Sequence, residues 1–367
     1  MRPWEIQPER YAELFDEKCA AVAAQFSELG APPADRFPSS LDSYRVRAEF
    51  RMWHDGSELD YVMFDSEDRR TPIPIADFAP ALEPIRKLMP ALRQRLLDTA
   101  ELRRRLFQLE FLAARSGDVV VTLIYHRRLD EHWESEARTL AQDLGVAVVG
   151  RSRGQKQVLE VDYVVEHFEV GGRQYGYRQY EQSFVQPNAP VNQQMLQWVW
   201  QQAEHCEGDL LELYCGNGNF TLPLADRFSA VVATELSKIG TRAARENLRL
   251  NGVENVHIVR LSAEEVSAAL RGVREFRRLS VLPKPLREFR LDSVFVDPPR
   301  AGLDAAALEC VAGFRRVFYI SCNPVTLISN LRDLAATHRI SALAFFDQFP
   351  YTPHLECGVV LEKRDIS

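Results

Sequence analysis

The second half of the chain alternates between short apolar runs and helix-like stretches, and this rhythm limits the fold more than any other feature. Apolar runs recur at 209–213, 230–235, 256–260, 292–296 and 316–320. This alternation predicts a parallel sheet with helices on both faces, a Rossmann-like α/β domain. The last segment, "ISALAFFDQFPYTPHLECGVVLEK", predicts two more strands in an antiparallel hairpin at the edge of that sheet.

The first 180 residues have the mixed pattern of an α+β domain. Residues 7–28 predict an amphipathic helix, and "YRVRAEFRMW" with "LDYVMF" predicts a hairpin. An arginine-rich helix over 83–106 is followed by two strand patterns, "FQLEFLAAR" and "DVVVTLIYH", and by a helix over 130–144. We therefore predict two domains, 1–180 and 181–367, which suits a chain of 367 residues.

Composition excludes several classes of protein. No apolar run approaches the ~20 residues that span a membrane, and the charged amino terminus lacks a signal-peptide core, so we expect a cytoplasmic protein. The six cysteines contain no C-x-x-C spacing, which disfavours a disulfide framework or a tetrathiolate metal site. We expect neither a metal nor an iron–sulfur cluster.

Charge is distributed unevenly along a chain whose net charge is −7. Residues 86–156 carry 14 basic against 9 acidic side chains, and residues 271–290 carry 7 against 2. Locally positive surface on an acidic protein can engage phosphates. A solvated helix face explains the same pattern, so charge alone leaves both interpretations open.

A glycine-containing turn after the first apolar run of the second half indicates a nucleoside cofactor. In "LELYCGNGNF", Gly216 and Gly218 allow a close backbone approach to a ligand, and Glu235 ends the next strand, where ribose hydroxyls are bound in such sheets. The turn lacks the third glycine of the dinucleotide fingerprint and the lysine of a P-loop. S-adenosylmethionine, which has a ribose but no phosphate, fits best.

Three chemically useful side chains follow later strands. Asp297 begins the turn "DPPR", Cys322 begins the turn after "FYIS", and Glu356 enters an apolar strand, where a carboxylate carries a desolvation penalty. A thiolate can add to carbon 6 of a pyrimidine and so activate carbon 5 for methylation, and a base must then remove the carbon 5 proton. A thiol, a carboxylate and a methyl donor in one cleft suit this reaction.

The motifs "FVQPN", "LELYCGNGNF", "DPPRAGL", "YISCNP" and "HLECGVVL" together resemble the RNA uracil-5-methyltransferases. In the amino half, "YRVRAEFRMWHDG" and "LFQLEFL" resemble the members that act on tRNA. The resemblance implies an S-adenosylmethionine-dependent catalytic domain after an RNA-binding domain. It also implies that carbon 5 of the T-loop uridine in tRNA is methylated.

The resemblance also implies roles for single residues. Cys322 is the expected nucleophile and Glu356 the expected proton acceptor. The cofactor is expected to contact a set of five residues: Gln186, Tyr214, Asn219, Glu235 and Asp297. Cys215 and Cys357 flank these motifs and are expected to serve in packing only.

Two other functions remain open on sequence alone. Ribosomal-RNA uracil methylation shares the chemistry. The enzymes that catalyse it often carry an iron–sulfur cluster on four cysteines and a small RNA-binding β-barrel in the amino half. Here only Cys19 precedes residue 206, and there is little room for a barrel before "YRVRAEF". A tRNA-binding or folding factor with secondary catalysis is the other alternative. Candidate RNA contacts are Arg51, Phe107, His126, Arg127, Arg128 and Arg300. A monomer is expected.

Overall fold

The computed structural model describes residues 4–65 and 67–364. The strands of this part of the chain fall into an eight-stranded, a seven-stranded and a two-stranded sheet. Their bounds are β1 (Asp35–Phe37), β2 (Arg47–Asp55), β3 (Glu58–Met63), β4 (Ile73–Pro74), β5 (Leu106–Ala113), β6 (Val119–Tyr125), β7 (Ala147–Ser152), β8 (Gln155–Val158), β9 (Tyr163–Val170), β10 (Arg173–Tyr180), β11 (Asp209–Leu213), β12 (Val231–Thr234), β13 (Val256–Val259), β14 (Leu291–Val296), β15 (Arg316–Ser321), β16 (His338–Phe346) and β17 (Glu356–Lys363).

The helices lie before and between these strands. Those of the described chain are α1 (Tyr11–Glu28), α2 (Glu83–Asp98), α3 (Ala100–Arg103), α4 (Glu131–Leu144), α5 (Ala189–Gln202), α6 (Thr221–Leu224), α7 (Lys238–Leu250), α8 (Ala263–Leu270), α9 (Ala305–Val311) and α10 (Pro324–Leu334). Short 3₁₀ turns occur at Pro8–Arg10, Arg277–Val281 and Leu286–Glu288. In the described chain no helix combines the length and apolarity needed to cross a membrane.

The eight-stranded sheet has the predicted Rossmann-like organisation. Its order is β1-β16-β17-β15-β14-β11-β12-β13, and the strands from β15 to β13 are parallel. Alternate side chains of each strand enter two cores, so that Phe295 packs with α5 and α6 whereas Val294 packs with α8, α9 and α10. The predicted parallel sheet with an antiparallel carboxyl-terminal hairpin is confirmed.

The hairpin does not form the edge of the sheet, and that part of the prediction is wrong. β17 lies between β15 and β16 and is antiparallel to both, and β1 pairs in parallel with β16. Two aromatic contacts hold the amino-terminal segment there, because Phe37 stacks on Phe346 at 4.7 Å and Phe26 packs on Phe345 at 5.7 Å. A three-residue strand is too short a pattern to recognise in a sequence.

The seven-stranded sheet accounts for most of the amino half. Its order is β4-β3-β2-β5-β6-β7-β8, and the predicted pairs β2–β3 and β5–β6 are present. Helices α2 and α4 pack on one face through Leu92 and Trp133. The division of the chain at residue 180 stays a prediction. One strand from residues 1–180, β1, belongs to the eight-stranded sheet of the carboxyl half.

Candidate active site

The predicted functional residues lie along one edge of the eight-stranded sheet. The carboxyl ends of β15, β14, β11 and β12 carry Cys322, Asp297, Tyr214 and Glu235. β17 runs in the opposite direction, so its first residue, Glu356, lies at the same edge. Ligands bind at this edge in open α/β sheets because the loops after the strands form a crevice there.

Cys322 and Glu356 are neighbours across the antiparallel pair β15–β17. Ser321 is paired with Cys357, so the next residue of one strand faces the preceding residue of the other. Cys322 is half-buried, whereas Glu356 is only 2% exposed. The thiol is therefore accessible while the carboxylate lies beneath the surface.

Burial and mutual repulsion change the acidity of the three groups. Burial, and then the charges of Glu356 and Asp297, raise the pKa of the Cys322 thiol to about 11, against a smaller opposing effect of Arg300. Burial raises the pKa of Asp297 to about 7. Burial followed by the Asp297 charge raises the pKa of Glu356 well above its usual range. Two carboxyls with raised pKa values in one cleft suit proton transfer.

The two turns that carry Asp297 and Cys322 are bonded to each other. The Arg300 carbonyl accepts hydrogen bonds from Asn323 Nδ2 at 3.0 Å and Thr326 Oγ1 at 3.3 Å. Asn323 also caps α10 by accepting from the Val325 amide, 3.2 Å away. Deeper in the core, Asn330 accepts from the Leu303 amide at 3.0 Å. This mutual support fixes the two turns as one unit.

The glycine turn between β11 and α6 has the backbone conformation of a ligand-binding loop. Tyr214 has a φ of 62°, a left-handed conformation that is costly for a residue with a side chain, and Gly216 has a φ of 55°. Glu235 Oε2 accepts from the Gly216 amide at 3.1 Å, and Oε1 accepts from the Ser237 amide at 2.6 Å. The Glu235 carboxylate thus links the turn after β11 to the turn after β12, the two segments predicted to bind the cofactor.

The other two predicted cofactor residues lie on either side of this turn. The Asn219 and Asn192 amides exchange two hydrogen bonds of 2.9 Å, so the Asn219 side chain fastens the glycine turn to α5. The structure thus brings six of the seven predicted residues together at one edge, with Gln186 buried just before α5, and their individual roles stay predictions.

Cys215 and Cys357 are fully enclosed among apolar side chains, as packing residues would be. Both thiols are buried, and burial raises the pKa of each well above its usual range. Neither residue is positioned like Cys322, which is half-buried at the strand end.

Sequence reasoning missed one buried acid beside the site, Glu212, and one exposed aromatic near Gln186 in the chain, Phe184. Glu212 of β11 is 1% exposed, its Oε2 has no hydrogen-bond partner within the described residues, and burial, with a smaller contribution from Asp297, raises its pKa to about 8. Phe184 is 75% exposed two residues before Gln186. A carboxylate inside the apolar run "DLLEL" and an aromatic at the start of "FVQPN" were the available signals.

Glu212→Gln is expected to remove a loss of folding stability that the wild type shows as the pH rises. A carboxyl whose pKa is higher in the folded state stabilises the fold fully below its unfolded pKa, and that contribution is lost as the pH rises through about 8. Relative to the wild type, the variant should gain stability between pH 5 and pH 8, by up to about 4 kcal/mol. Denaturant unfolding at both pH values measures this.

The control for this prediction is Glu264→Gln, which changes an exposed carboxylate on the neighbouring helix α8. Its stability relative to the wild type should stay the same at both pH values. A Glu212 variant that behaves like this control would contradict the assignment of a raised pKa.

Comparison with known proteins defines the class and then the family. The fold, the glycine turn and the acidic strand end are those of an S-adenosylmethionine-dependent methyltransferase. The family model described as tRNA (Uracil-5-)-methyltransferase matches residues 10–364. The chain belongs to this family, whose methyl donor is S-adenosylmethionine.

Close relatives match along the whole chain. A tRNA/tmRNA (uracil-C(5))-methyltransferase of Aromatoleum aromaticum is 52% identical over 359 residues, 98% of this chain and 97% of the relative. A protein with the same name from Dechloromonas aromatica is 52% identical over 97% of this chain and 98% of its own.

A solved structure confirms the fold. The Pyrococcus abyssi tRNA (uracil-54, C5)-methyltransferase in complex with S-adenosyl-L-homocysteine superimposes with a TM-score of 0.71. The match covers 96% of this chain and 83% of that chain, at 20% sequence identity.

Proposed function

We propose that this protein methylates carbon 5 of the T-loop uridine in tRNA through a covalent bond between Cys322 and carbon 6. The observation that carries the proposal is the placement of the Cys322 thiol opposite Glu356, with Asp297 on the next strand and the cofactor turn beyond it. The family and the names of the relatives support tRNA as the substrate. We expect the protein to act in the cytoplasm as a monomer.

The chemistry runs in three steps that use these groups. The Cys322 thiolate bonds to carbon 6, and the electron pair of the 5,6 double bond passes to carbon 5 as an enolate. Carbon 5 takes the methyl group of S-adenosylmethionine, whose bond to sulfur breaks, so that S-adenosylhomocysteine departs as the neutral leaving group. Glu356 then accepts the carbon 5 proton, the double bond re-forms and the bond between carbon 6 and sulfur breaks.

The raised pKa values suit this order. The thiol is neutral in the free enzyme at neutral pH because its pKa is raised to about 11, so proton removal must accompany attack. Asp297, whose pKa is raised to about 7 and whose charge acts on the thiol, accepts that proton as sulfur bonds to carbon 6. Thr326, Asn323 and Arg300 hold the turn through the Arg300 carbonyl.

Incubation with 5-fluorouridine-containing tRNA and S-adenosylmethionine tests the proposal. Fluorine at carbon 5 does not leave as a proton does, so the methylated adduct should stay bonded to Cys322 and resist denaturing gel electrophoresis. Ribosomal RNA with the same base is the comparison substrate. An adduct with ribosomal RNA alone would transfer the proposal to that substrate, and no adduct with either would overturn it.

A stack on the seven-stranded sheet, in which the exposed Arg51 and His126 cover the half-buried Phe107 ring, supports RNA binding. The Arg51 guanidinium lies 3.7 Å from the centre of the Phe107 ring, and the Phe107 and His126 rings stack with centres 4.0 Å apart. Such a surface can stack an unpaired base. Arg127 is a weaker candidate than predicted, because its guanidinium is bonded to the Arg104 and Glu101 carbonyls.

Phe107→Ala is expected to weaken tRNA binding more than it slows chemistry. Loss of one stacked base costs about 1–3 kcal/mol, which raises Kd about 5- to 150-fold. Single-turnover methylation at saturating tRNA should change little. Filter binding and rapid-quench assays separate the two effects, and Phe107→Tyr, which keeps the ring, is the matched control. Equal affinity of both variants and wild type would remove this surface from the binding site.

A further inference from the structure

The ammonium of Lys18, on α1, lies against the loop between β16 and β17. This loop, residues 347–355, is called the base loop because the proposed base, Glu356, follows it. Nζ lies 2.5 Å from Asp347 Oδ1 and donates to the carbonyls of Phe349 at 3.0 Å and His354 at 3.2 Å. The Lys18 side chain is 8% exposed and that of Asp347 is 0% exposed. All three donors of one ammonium are thus used on one loop, at its beginning and its end.

The base loop depends on the amino-terminal segment for its shape. Tyr351 has a φ of 59°, a left-handed conformation that persists only where the surroundings impose it. Its hydroxyl donates to the Leu41 carbonyl at 2.7 Å, and the Tyr11 ring packs edge-on against its ring at 5.6 Å. Tyr11 also donates to Asp347 Oδ2 at 2.8 Å. The segment that contains α1 therefore holds the loop at several points.

The far end of the base loop contacts the turn that carries Asp297. His354, two residues before Glu356, has its Nδ1 at 3.1 Å from Arg300 Nη2, and the Arg300 carbonyl is bonded to the turn of Cys322. At the near end, Gln348 Oε1 accepts from the Asn188 amide at 3.0 Å, two residues after Gln186. The loop is thus continuous with Glu356 and contacts Arg300 in the turn of Asp297 and Asn188 just before α5.

We propose that Lys18 is a positioning residue for Glu356 in the methylation described above. Its ammonium closes the base loop by bonding both ends, and so sets the place of the carboxylate that receives the carbon 5 proton. Lys18 acts through Asp347 and the His354 carbonyl, and contacts none of the reacting groups in the described structure. The inference rests on the proposed covalent mechanism.

Loss of this ammonium should affect the steps of the reaction unequally. The Cys322 turn is held by Asn323 and by α10, independently of Lys18, so attack and methyl transfer should continue. Proton removal requires Glu356 to be within hydrogen-bonding reach of carbon 5, and a displacement of about 1 Å costs about 10²-fold in rate. The covalent intermediate should therefore accumulate.

The experiment compares Lys18→Met and the double variant Lys18→Met/Asp347→Asn with the wild type. The double variant avoids a buried carboxylate without a partner, which by itself endangers folding. Arg36→Met is the control, because it removes an equal charge from the same segment at an exposed ion pair with Asp16. Thermal unfolding identifies the variants that fold.

Two rates are measured for each folded variant: adduct formation on 5-fluorouridine tRNA and turnover on ordinary tRNA. We expect adduct formation at the wild-type rate, turnover lowered about 10²-fold, and a denaturant-stable protein–RNA complex with ordinary tRNA. The control should match the wild type in all three. Wild-type turnover in the folded double variant, or an equal fall in both rates, would overturn the inference.

Glu356→Gln separates this inference from the proposed function. If that variant yields no stable complex with ordinary tRNA, Glu356 is not the base of the proposed mechanism, and the inference about Lys18 fails with that assignment even where the adduct with 5-fluorouridine tRNA forms. If Glu356→Gln accumulates the complex whereas the Lys18 double variant does not, the mechanism stands and the role assigned to Lys18 is wrong.

Discussion

Cys322→Ala should abolish methylation of tRNA. Carbon 5 of uracil is too weak a nucleophile to take a methyl group from a sulfonium unless a thiolate has first added to carbon 6, so the variant lacks the route itself. We expect a fall in kcat of about 10⁴-fold or more and no adduct with 5-fluorouridine tRNA. Transfer of a radioactive methyl group and gel electrophoresis measure the two effects.

The control is Cys310→Ala, which removes a thiol from α9, away from the strand end that carries Cys322. It should keep nearly full activity and form the adduct. tRNA binding by Cys322→Ala should also be retained, because the half-buried thiol contributes little contact area. Methylation that survives the Cys322 substitution would exclude covalent catalysis.

Glu356→Gln should trap the enzyme on ordinary tRNA after methyl transfer. The amide has nearly the shape of the acid but cannot accept the carbon 5 proton, so the bond between carbon 6 and sulfur persists. Turnover should fall about 10³-fold, and a methylated protein–RNA complex should appear on denaturing gels in a single turnover.

The pH dependence provides a second measurement on the same variant. The pKa of Glu356 is raised by burial and by Asp297, so wild-type turnover should rise with pH above the range in which an ordinary glutamate loses its proton. In Glu356→Gln the first-turnover adduct should form with a pH profile governed by the thiol. A variant that turns over normally would transfer the role of base to another group, with Asp297 the nearest candidate.

Much of the fold follows from local pattern. The parallel strands of the second half are short, apolar and separated by helices with recognisable caps, such as Ser262 at the start of α8. The position of β17 between β15 and β16, and the addition of β1 beyond them, depend on contacts between distant segments. Such contacts leave no periodic trace in the sequence.

Site residues could be predicted where a chemically reactive or charged side chain follows an apolar strand pattern. Cys322, Asp297 and Glu235 each follow an apolar run, so their position at one edge could be predicted. Glu212 could not be assigned in this way, because one acid within a strand gives no indication of which neighbours it meets. Lys18 gave even less indication, since its partners lie more than 300 positions away along the chain.

Activity depends on the register in which β17 pairs with its two neighbouring strands. Side chains of a strand alternate between faces, so a shift of one position would put Cys357 at the edge and turn Glu356 into the opposite face. Ladders on both sides, with β15 and with β16, oppose such slippage. An insertion or deletion within this last strand should therefore yield an inactive methyltransferase even where the rest of the molecule folds correctly.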